Sequence, residues 1–368
     1  MPTRTRAWIA RIAGAGLVAA GLSVGASSAM ACACGGMVGP DDASTVIGRE
    51  TAVLQLHYGV ETIHLQLSAR GHDNEAGLLL PTPAPAEVSL GNQQMFTDLF
   101  RASQPRHEER RHLFGPRWLF VGDGSGGGGD GAGAPGNSGV NVLSVEDLGP
   151  LEATVLTADD PEALEVWLDE HDYVMSEEFA SVVQPYTDDE WAFVAVRLTA
   201  EGEALDGDLP PLTVTFPSDE LVYPMRMSQA ATSHQETRTY VLDEHRTERT
   251  DPTARGGSTP EVMFAGELEV DSLESADLRA LVSSTPYLTT IDQEFSQPDR
   301  MIQSDYVFAP AADDEPFQRV IYEVPARHLR DTYLIPIDVA VILGLLVLVA
   351  IAVGVTLTVR GVRQARPD

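Results

Sequence analysis

The feature that most constrains this chain is an apolar run near its C-terminus, Val339–Val359, in which only Thr356 and Thr358 are polar. As a helix rising about 1.5 Å per residue, this run is about 30 Å long, which matches the hydrocarbon thickness of a bilayer. Arginines follow it directly, whereas aspartates precede it. The positive-inside rule therefore predicts a single transmembrane helix over 338–359 and a cytoplasmic tail over 360–368.

The N-terminus has the three parts of a secretory signal. Arginines precede an apolar stretch from Ile12 to about Ala26, and Ala29-Met30-Ala31 supplies a cleavage site of small residues. We therefore predict a signal peptide over 1–31 and an extracytoplasmic domain over 32–337. The predicted location is the cell membrane, crossed once, with the large domain outside and the C-terminus in the cytoplasm.

The two cysteines, Cys32 and Cys34, both lie at the predicted mature N-terminus. Export places them in an oxidising compartment, but a Cys-x-Cys disulfide closes a small and strained ring. Bonded, free and lipidated cysteines all fit this position, and cleavage after Ala33 would leave Cys34 alone. We interpret the pair as a candidate disulfide or processing site, in preference to a redox or metal centre.

Charge excludes several chemistries and partners. Every one of the 24 basic residues is arginine, so a Walker-type phosphate loop, a Schiff-base enzyme and a Ser-Lys dyad cannot be built. The two terminal segments hold six of the arginines and two of the 55 acidic residues, which leaves 18 basic against 53 acidic residues in the predicted outer domain. So negative a field repels nucleic acid and attracts cations. We predict no nucleic-acid partner and interpret the acidity mainly as a solvated surface.

A period-two alternation that begins near Thr51 predicts a β-hairpin with one buried face. Gly59-Val60 is the predicted two-residue turn. This turn predicts two cross-strand pairs on the buried face: Leu56 with Ile63, and Leu54 with Leu65. On the polar face, His57 and His64 fall on a diagonal, close enough to share a ligand. Two histidines without a third partner are more often surface residues.

Further elements follow from capping residues, prolines and apolar runs. The predicted elements are strands at Ala76–Leu80, Trp118–Val121, Val140–Leu143, Trp191–Leu198, Leu212–Phe216, Leu221–Met227, Tyr240–Leu242 and Glu261–Glu269, a helix at Asn92–Ala102, and helices capped by Asp160 and Ser176. The predicted fold class is α+β, a mostly antiparallel sheet with a helical insertion, plus one C-terminal transmembrane helix. A Gly-rich loop at 122–139 marks the place where two lobes would divide.

An ordered set of segments carries a resemblance to a known family. The segments are Cys34-Gly35-Gly36, Leu80-Pro81-Thr82-Pro83, Ala163 through Trp167-Leu168 to Tyr173, Trp191 to Leu198, Thr215 to Asp219, and Tyr223-Pro224-Met225. From about Cys34 to about Tyr322 the chain resembles the bacterial family called domain of unknown function 2330. The resemblance implies export and, in many members, a membrane anchor; it implies no activity, cofactor or site residue.

Catalytic and cofactor patterns fail when they are tested on the residues. Gly122, Gly124 and Gly127 satisfy G-x-G-x-x-G, but the glycines and proline that follow cannot open the helix that this motif needs. His107 and His112 are one residue too far apart for the H-E-x-x-H zinc signature. No catalytic residue, metal ligand set or cofactor is predicted.

The leading functional hypothesis is a membrane-anchored envelope protein whose outer domain binds or senses something, with an envelope protein or polymer as its partner. One alternative is an extracytoplasmic hydrolase with a carboxylate pair or a triad distant in sequence. Another is a calcium-stabilised surface adhesin. The sequence leans away from an enzyme because every catalytic pattern tried is incomplete.

Overall fold

The computed structural model describes residues 30–31, 36–39, 45–73, 75–109, 140–149, 151–199, 205–255, 258–323 and 337–364. The helices in this part of the chain are α1 (Gln93–Ala102), α2 (Pro161–Asp169), α3 (Glu177–Asp188), α4 (Ala276–Val282), α5 (Pro298–Met301) and α6 (Ile337–Gln364). The predicted α+β class is confirmed. Most of the predicted signal peptide, the Gly-rich stretch and the predicted strand Trp118–Val121 lie outside the described residues.

Two large sheets dominate the fold, and nearly all of their strands pair antiparallel, as predicted. The first sheet has the order β1 (Met30–Ala31), β2 (Gly36–Val38), β5 (Glu75–Thr82), β10 (Ala192–Thr199), β9 (Leu151–Ala158), β8 (Val140–Asp147). The second has the order β19 (Phe317–Gln318), β16 (Glu261–Glu267), β17 (Tyr287–Phe295), β14 (Gln235–Asp243), β3 (Val46–His57), β4 (Val60–Arg70), β12 (Leu212–Pro217), β6 (Glu87–Leu90), with β11 (Gly207–Asp208) also on β4. Within it, β14 and β3 run parallel.

Two small sheets complete the described strands. One has the order β13 (Leu221–Tyr223), β18 (Tyr306–Pro310), β15 (Thr247–Arg249); in the other, β7 (Arg106–Glu109) pairs parallel with β20 (Val320–Glu323). The predicted strand Leu221–Met227 is shorter than expected, because Pro224 has no N–H for a ladder and the chain continues as a 3-10 turn over Arg226–Ala230.

The molecule has four layers, because each large sheet alternates apolar residues onto both of its faces. The inner faces meet in one core, to which the first sheet contributes Leu78 and Val194 and the second contributes Leu54 and Ile63. Helices α2 and α3 cover the outer face of the six-stranded sheet. Helices α1 and α4 cover the outer face of the nine-stranded sheet.

Local capping explains where the covering helices begin. The side chains of Asn92, Asp160 and Ser176 accept hydrogen bonds from the first-turn N–H groups of α1, α2 and α3 respectively. Pro161 takes the first position of α2, where its missing N–H has no consequence. These helix starts are the ones that the sequence predicts.

The register of the first hairpin differs from the prediction. Leu54 pairs with Ile63 and Leu56 with Glu61, so the turn is Tyr58-Gly59. Both turn residues have positive φ, 50° and 75°, as the favoured type I′ hairpin turn requires. The predicted turn at Gly59-Val60 is therefore wrong by one position, and the cross-strand partners shift by two. Because that shift is even, the residues predicted to face the core still do so.

Helix α6 corresponds to the predicted transmembrane segment. Among the described residues it alone is long and apolar enough to cross a membrane, over Ile342–Arg360, with a mean hydropathy of 2.8 and no part of that window buried against the domain. The structure thus supplies a helix suited to an anchor. The side of the membrane on which the domain lies stays a prediction.

Candidate ligand groove

A groove opens on the outer face of the six-stranded sheet, beside the loop that joins α2 to α3. Gly77 and Ala195 belong to its floor, and Trp167, His171 and Tyr173 belong to its wall. Its volume is about 210 Å³, below the roughly 300–1,000 Å³ of pockets that enclose a drug-sized ligand. The groove, called the sheet groove below, therefore suits a single group the size of an amino acid or a monosaccharide.

The groove exists because the helical layer stops short of the end of the sheet. Helices α2 and α3 pack on Leu79, Leu156 and Phe193, at one end of the strands. After α2 the chain turns back at Asp172, which has a φ of 65°, and the Tyr173 N–H bonds to a carbonyl of the last helical turn. A left-handed residue after the last turn is a standard way to end a helix. The loop is thereby held beside the uncovered strands.

A glycine lets the loop lie directly against the sheet. A Cβ at Gly77 would stand 2.6 Å from Cγ2 of Val38 and 3.3 Å from Cε1 of Tyr173, closer than van der Waals contact permits. Tyr173 therefore packs on bare backbone and is only 7% exposed. This close approach sets the depth of the groove at its Tyr173 end.

One carboxylate links the loop to two strands. Glu75 Oε1 accepts a hydrogen bond from the Tyr173 hydroxyl at 3.2 Å and lies 2.7 Å from Nε of Arg197. Burial, followed by the charge of Glu75, raises the pKa of Tyr173, so that its hydroxyl stays a donor. Arg197 is half exposed and belongs to the groove lining. Its guanidinium is thus bonded to Glu75, while the side chain keeps exposed surface beside the groove.

The remaining charge in the groove is negative. Glu152, Glu170 and Asp172 also contribute to its lining, while Arg197 is already paired with Glu75. Three carboxylates around a small cavity favour a ligand group with positive charge. The groove thus has acidic sides and an aromatic wall, a combination that attracts ammonium and guanidinium groups.

His171 supplies a hydrogen-bond acceptor, its Nε2 atom. Its ring stacks on Trp167 with a centroid separation of 4.1 Å, and its Nδ1 lies 2.7 Å from the Trp167 carbonyl oxygen. Because a carbonyl only accepts, Nδ1 carries the proton. In the neutral ring Nε2 is then a hydrogen-bond acceptor.

A second polar cluster, around Arg249, is closed to solvent. Arg249 and Asp251 form a paired contact with side chains 2% and 1% exposed, and the guanidinium lies 3.2 Å above the Tyr306 ring. Gln293 accepts a further hydrogen bond from Arg249 at 2.8 Å. These internal partners satisfy the Arg249 guanidinium and support the packing of β15 against β18.

The two histidines that the sequence placed together are apart. His57 lies opposite Val60, whereas His64 lies opposite Val53, several pairs further along the hairpin. His64 is also buried, with Nδ1 at 2.8 Å from Thr213 Oγ1. The prediction that they share a diagonal is wrong, because it assumed cross-strand partners two positions away from the observed ones. The polar face that holds His64 is not a free surface either, since α1 and α4 cover it.

The described part of the chain contains neither a metal site nor a site for cysteine chemistry. There, no group of three or more histidine, cysteine or acidic residues is arranged to hold a metal ion. Cys32 and Cys34 lie outside the described residues, so their interpretation as a disulfide or processing site stays a prediction. The hydrolase and adhesin alternatives stay predictions as well.

Sequence reasoning missed the groove, although one signal was available. Arg197 is the only charged residue in the apolar strand predicted at Trp191–Leu198, and a charge inside such a strand requires a partner or solvent. Its actual partner, Glu75, is more than 100 residues away in sequence and becomes adjacent only through the pairing of β5 with β10.

Comparison with known proteins gives a family and no activity. No curated protein matches the chain. A crystal structure of baculovirus P35 is similar over 76% of this chain and 98% of that one, at 8% sequence identity and a TM-score of 0.29. Residues 28–309 match the family described as "Uncharacterized protein conserved in bacteria (DUF2330)", in agreement with the resemblance seen in the sequence. Since that match covers most of the chain, the protein belongs to this bacterial family, DUF2330.

Proposed function

We propose that this protein is a membrane-anchored binding module of the bacterial cell envelope, and that its sheet groove holds a cationic group of the ligand. The observation that carries the proposal is the groove itself, with Glu152, Glu170 and Asp172 around a cavity of about 210 Å³. A group of this kind is the ammonium of an amino sugar or of a basic side chain in an envelope protein or polymer.

The construction of the groove supports binding over chemistry. Its floor belongs to the adjacent strands β5, β10 and β9, and the loop is fixed by Tyr173 and Glu75. A rigid and preformed site loses little conformational entropy when a ligand binds. The lining holds three carboxylates, those of Glu152, Glu170 and Asp172, against one guanidinium, that of Arg197, which is bonded to Glu75 and lies opposite Glu152.

The rest of the chain supports the same setting. Helix α6 has the length and apolarity of a membrane span. The excess of acidic over basic residues, 55 against 24, surrounds the groove with a negative field that draws cations toward it. The signal peptide predicted over 1–31 and the anchor-like helix together fit a protein that faces the envelope.

The ligand proposal is tested with Nα-acetyl-lysine amide and its neutral analogue Nα-acetyl-norleucine amide, called lysine amide and norleucine amide below, titrated calorimetrically into the purified full chain in detergent. We expect lysine amide to bind in the millimolar range and norleucine amide at least tenfold more weakly. Glu152→Gln lowers the affinity for lysine amide severalfold, whereas Glu162→Gln, on the exposed side of α2, leaves it unchanged. Equal binding of the two amides, or none of the first, contradicts a cation site.

The membrane setting is tested separately in cells. We expect protease added to intact spheroplasts to remove the domain and to leave a short fragment that contains α6. An epitope tag after Asp368 stays protected until the membrane is permeabilised. If the domain survives in intact spheroplasts while the tag is digested, the orientation is the reverse of the proposed one. That outcome leaves the proposal for the sheet groove unchanged.

A further inference from the structure

One residue in the wall of the sheet groove belongs to the type that changes charge near neutral pH. Histidine gains a proton between about pH 8 and about pH 5 in ordinary surroundings, whereas carboxyl and guanidinium groups titrate outside that range. His171 is exposed and is the one histidine among the described residues that line the groove. A change of pH through that range therefore acts on the charge of the groove at His171.

Two contacts hold the His171 ring in place. The ring stacks on Trp167, with 4.1 Å between the centroids, and its Nδ1–H donates to the Trp167 carbonyl oxygen at 2.7 Å. Both contacts also suit the protonated ring, because Nδ1 keeps its proton and a cation is attracted to the face of an indole. A proton added at Nε2 therefore puts a positive charge at a fixed place beside the groove.

His171 also has a structural role at the end of α2. The helix ends at Asp169, and the last carbonyls of a helix have no partner within it. The bond from Nδ1–H satisfies the Trp167 carbonyl. This bond uses Nδ1 in both protonation states, whereas the second proton goes to Nε2. The structural role of the residue and a change of its charge are therefore compatible.

The charges next to His171 in its loop and at the end of α2 are negative. Glu170 and Asp172 flank it in sequence and line the groove with it, and Asp169 is the last residue of α2. Carboxylates in this position attract a cationic ligand. A positive charge on the ring among them cancels part of that attraction.

The sheet below the loop contributes charges of both signs. Glu152 on β9 lies opposite Arg197 on β10, and Arg197 is bonded to Glu75 on β5. The Tyr173 hydroxyl stays neutral, because burial and then the charge of Glu75 raise its pKa. The described lining thus carries three carboxylates and one guanidinium, a formal net charge of −2, and protonation of His171 reduces it to −1.

We propose that His171 is a proton switch of the sheet groove, which holds its cationic ligand when the ring is neutral and releases it when the ring is protonated. This switch rests on the proposed function, because it acts on the same ligand in the same groove. Two unit charges about 6 Å apart, at an effective dielectric constant of about 40, repel each other enough to weaken binding roughly tenfold. Protonation also converts Nε2 from an acceptor to a donor, with which an ammonium cannot pair.

The switch is tested by calorimetric titration of lysine amide into the purified full chain in detergent at pH 7.5 and at pH 5.5. The lysine side chain keeps its charge at both values, so a difference in affinity comes from the protein. We expect the dissociation constant of the wild type to rise by about threefold to tenfold at pH 5.5. His171→Gln cannot gain a proton and should bind equally at both pH values. His72→Gln, at an exposed site outside the groove, should retain the full change.

Proton NMR of the histidine rings gives a second measurement, made on the wild type. If protonation of His171 expels the ligand, the ligand must expel that proton by the same factor. At pH 6.5 we expect saturating lysine amide to move the ring signals of His171 toward their positions at pH 8, while the signals of His72 stay in place.

The possible outcomes separate the switch from the groove. The switch is overturned by equal affinity of the wild type at the two pH values, by a change that His171→Gln retains, or by His171 ring signals that do not respond to lysine amide. Each of these results leaves the cation site in place. If His171→Gln fails to fold or to bind, the ring signals of the wild type decide. No binding to the wild type at either pH contradicts the cation site itself, and the switch falls with it.

Discussion

The outer faces of the two large sheets are built alike but closed to different extents. On the nine-stranded sheet, α1 and α4 cover even polar positions, so that Gln55, His64 and Gln66 are each less than 10% exposed. On the six-stranded sheet, α2 and α3 cover the apolar end and leave the sheet groove at the other. One outer face is therefore sealed, and the other carries the candidate site.

The difference lies in how the covering helices are joined. Asp98 of α1 accepts hydrogen bonds at 2.7 and 2.8 Å from the N–H groups of Glu274 and Ser275, just before α4. This carboxylate fastens two helices that are distant in sequence into one lid. Helices α2 and α3 are consecutive, and the loop between them packs Tyr173 on the sheet. The sealed face thus depends on a contact between α1 and the segment before α4, which are distant in sequence. The groove on the other face depends only on the short loop between α2 and α3.

The largest effect is expected from breaking the sealed lid at Asp98. Burial raises the pKa of the Asp98 carboxyl, but hydrogen bonds from Ser275, Gln94 and Glu274 outweigh it and leave that pKa below its ordinary value. Asp98→Ala leaves the buried N–H of Ser275 and the partly buried N–H of Glu274 without their acceptor and should lower the free energy of unfolding by about 3 kcal/mol. Urea denaturation measures this. Asp271→Ala, exposed nearby, should cost under about 0.5 kcal/mol, and equal costs would show that Asp98 does not fasten the lid.

The sealed face should also lose stability in acid. Burial lowers the pKa of His64 from 6.5 to about 4, although Asp277 partly opposes this. Below pH 6.5 the unfolded chain binds a proton that folded His64 does not, so the free energy of unfolding falls as the pH falls, by up to about 3 kcal/mol near pH 4. His64→Gln should remove this component and His72→Gln, at an exposed site, should not. If the free energy of unfolding depends on pH identically in the wild type and in His64→Gln, His64 is not the source of the acid sensitivity.

A smaller effect is expected where the loop meets the open face. Gly77→Val drives a side chain into Val38 and Tyr173 and should cost about 1–3 kcal/mol through overpacking. It should also displace Tyr173 and weaken lysine amide binding in the groove, which calorimetry measures. Unchanged affinity would mean that the position of Tyr173 does not shape the groove.

The smallest effect is expected from the polar link on the open face. Glu75→Ala removes the partner of Arg197 and Tyr173, yet both Glu75 and Arg197 have substantial exposure. Water replaces the lost contacts, so the free energy of unfolding should change by at most about 1 kcal/mol. A loss as large as that of Asp98→Ala would show that the two faces are not closed differently.

Local chemistry explains which elements were predictable. The caps of α1, α2 and α3, the apolar strand β10 and the membrane helix α6 depend on residues within a few positions of one another. The central strand β17 (Tyr287–Phe295) was missed, because Thr289, Thr290 and Gln293 interrupt its apolar pattern. All three are buried, which becomes evident only when α4 and the neighbouring strands surround them.

The sequence by itself determined the division of the chain into an acidic domain and an apolar anchor-like helix, the identity of helices α1, α2, α3 and α6, and fewer than half of the strands. Only the tertiary structure decided the candidate site, since Glu75, Tyr173 and Arg197 come from three separate segments. It also decided the hairpin register, where the turn geometry of Tyr58 and Gly59 prevailed over the expected turn. Local conformational preferences act between near neighbours, whereas strand order and register depend on which distant faces bury each other, and no short pattern encodes that choice.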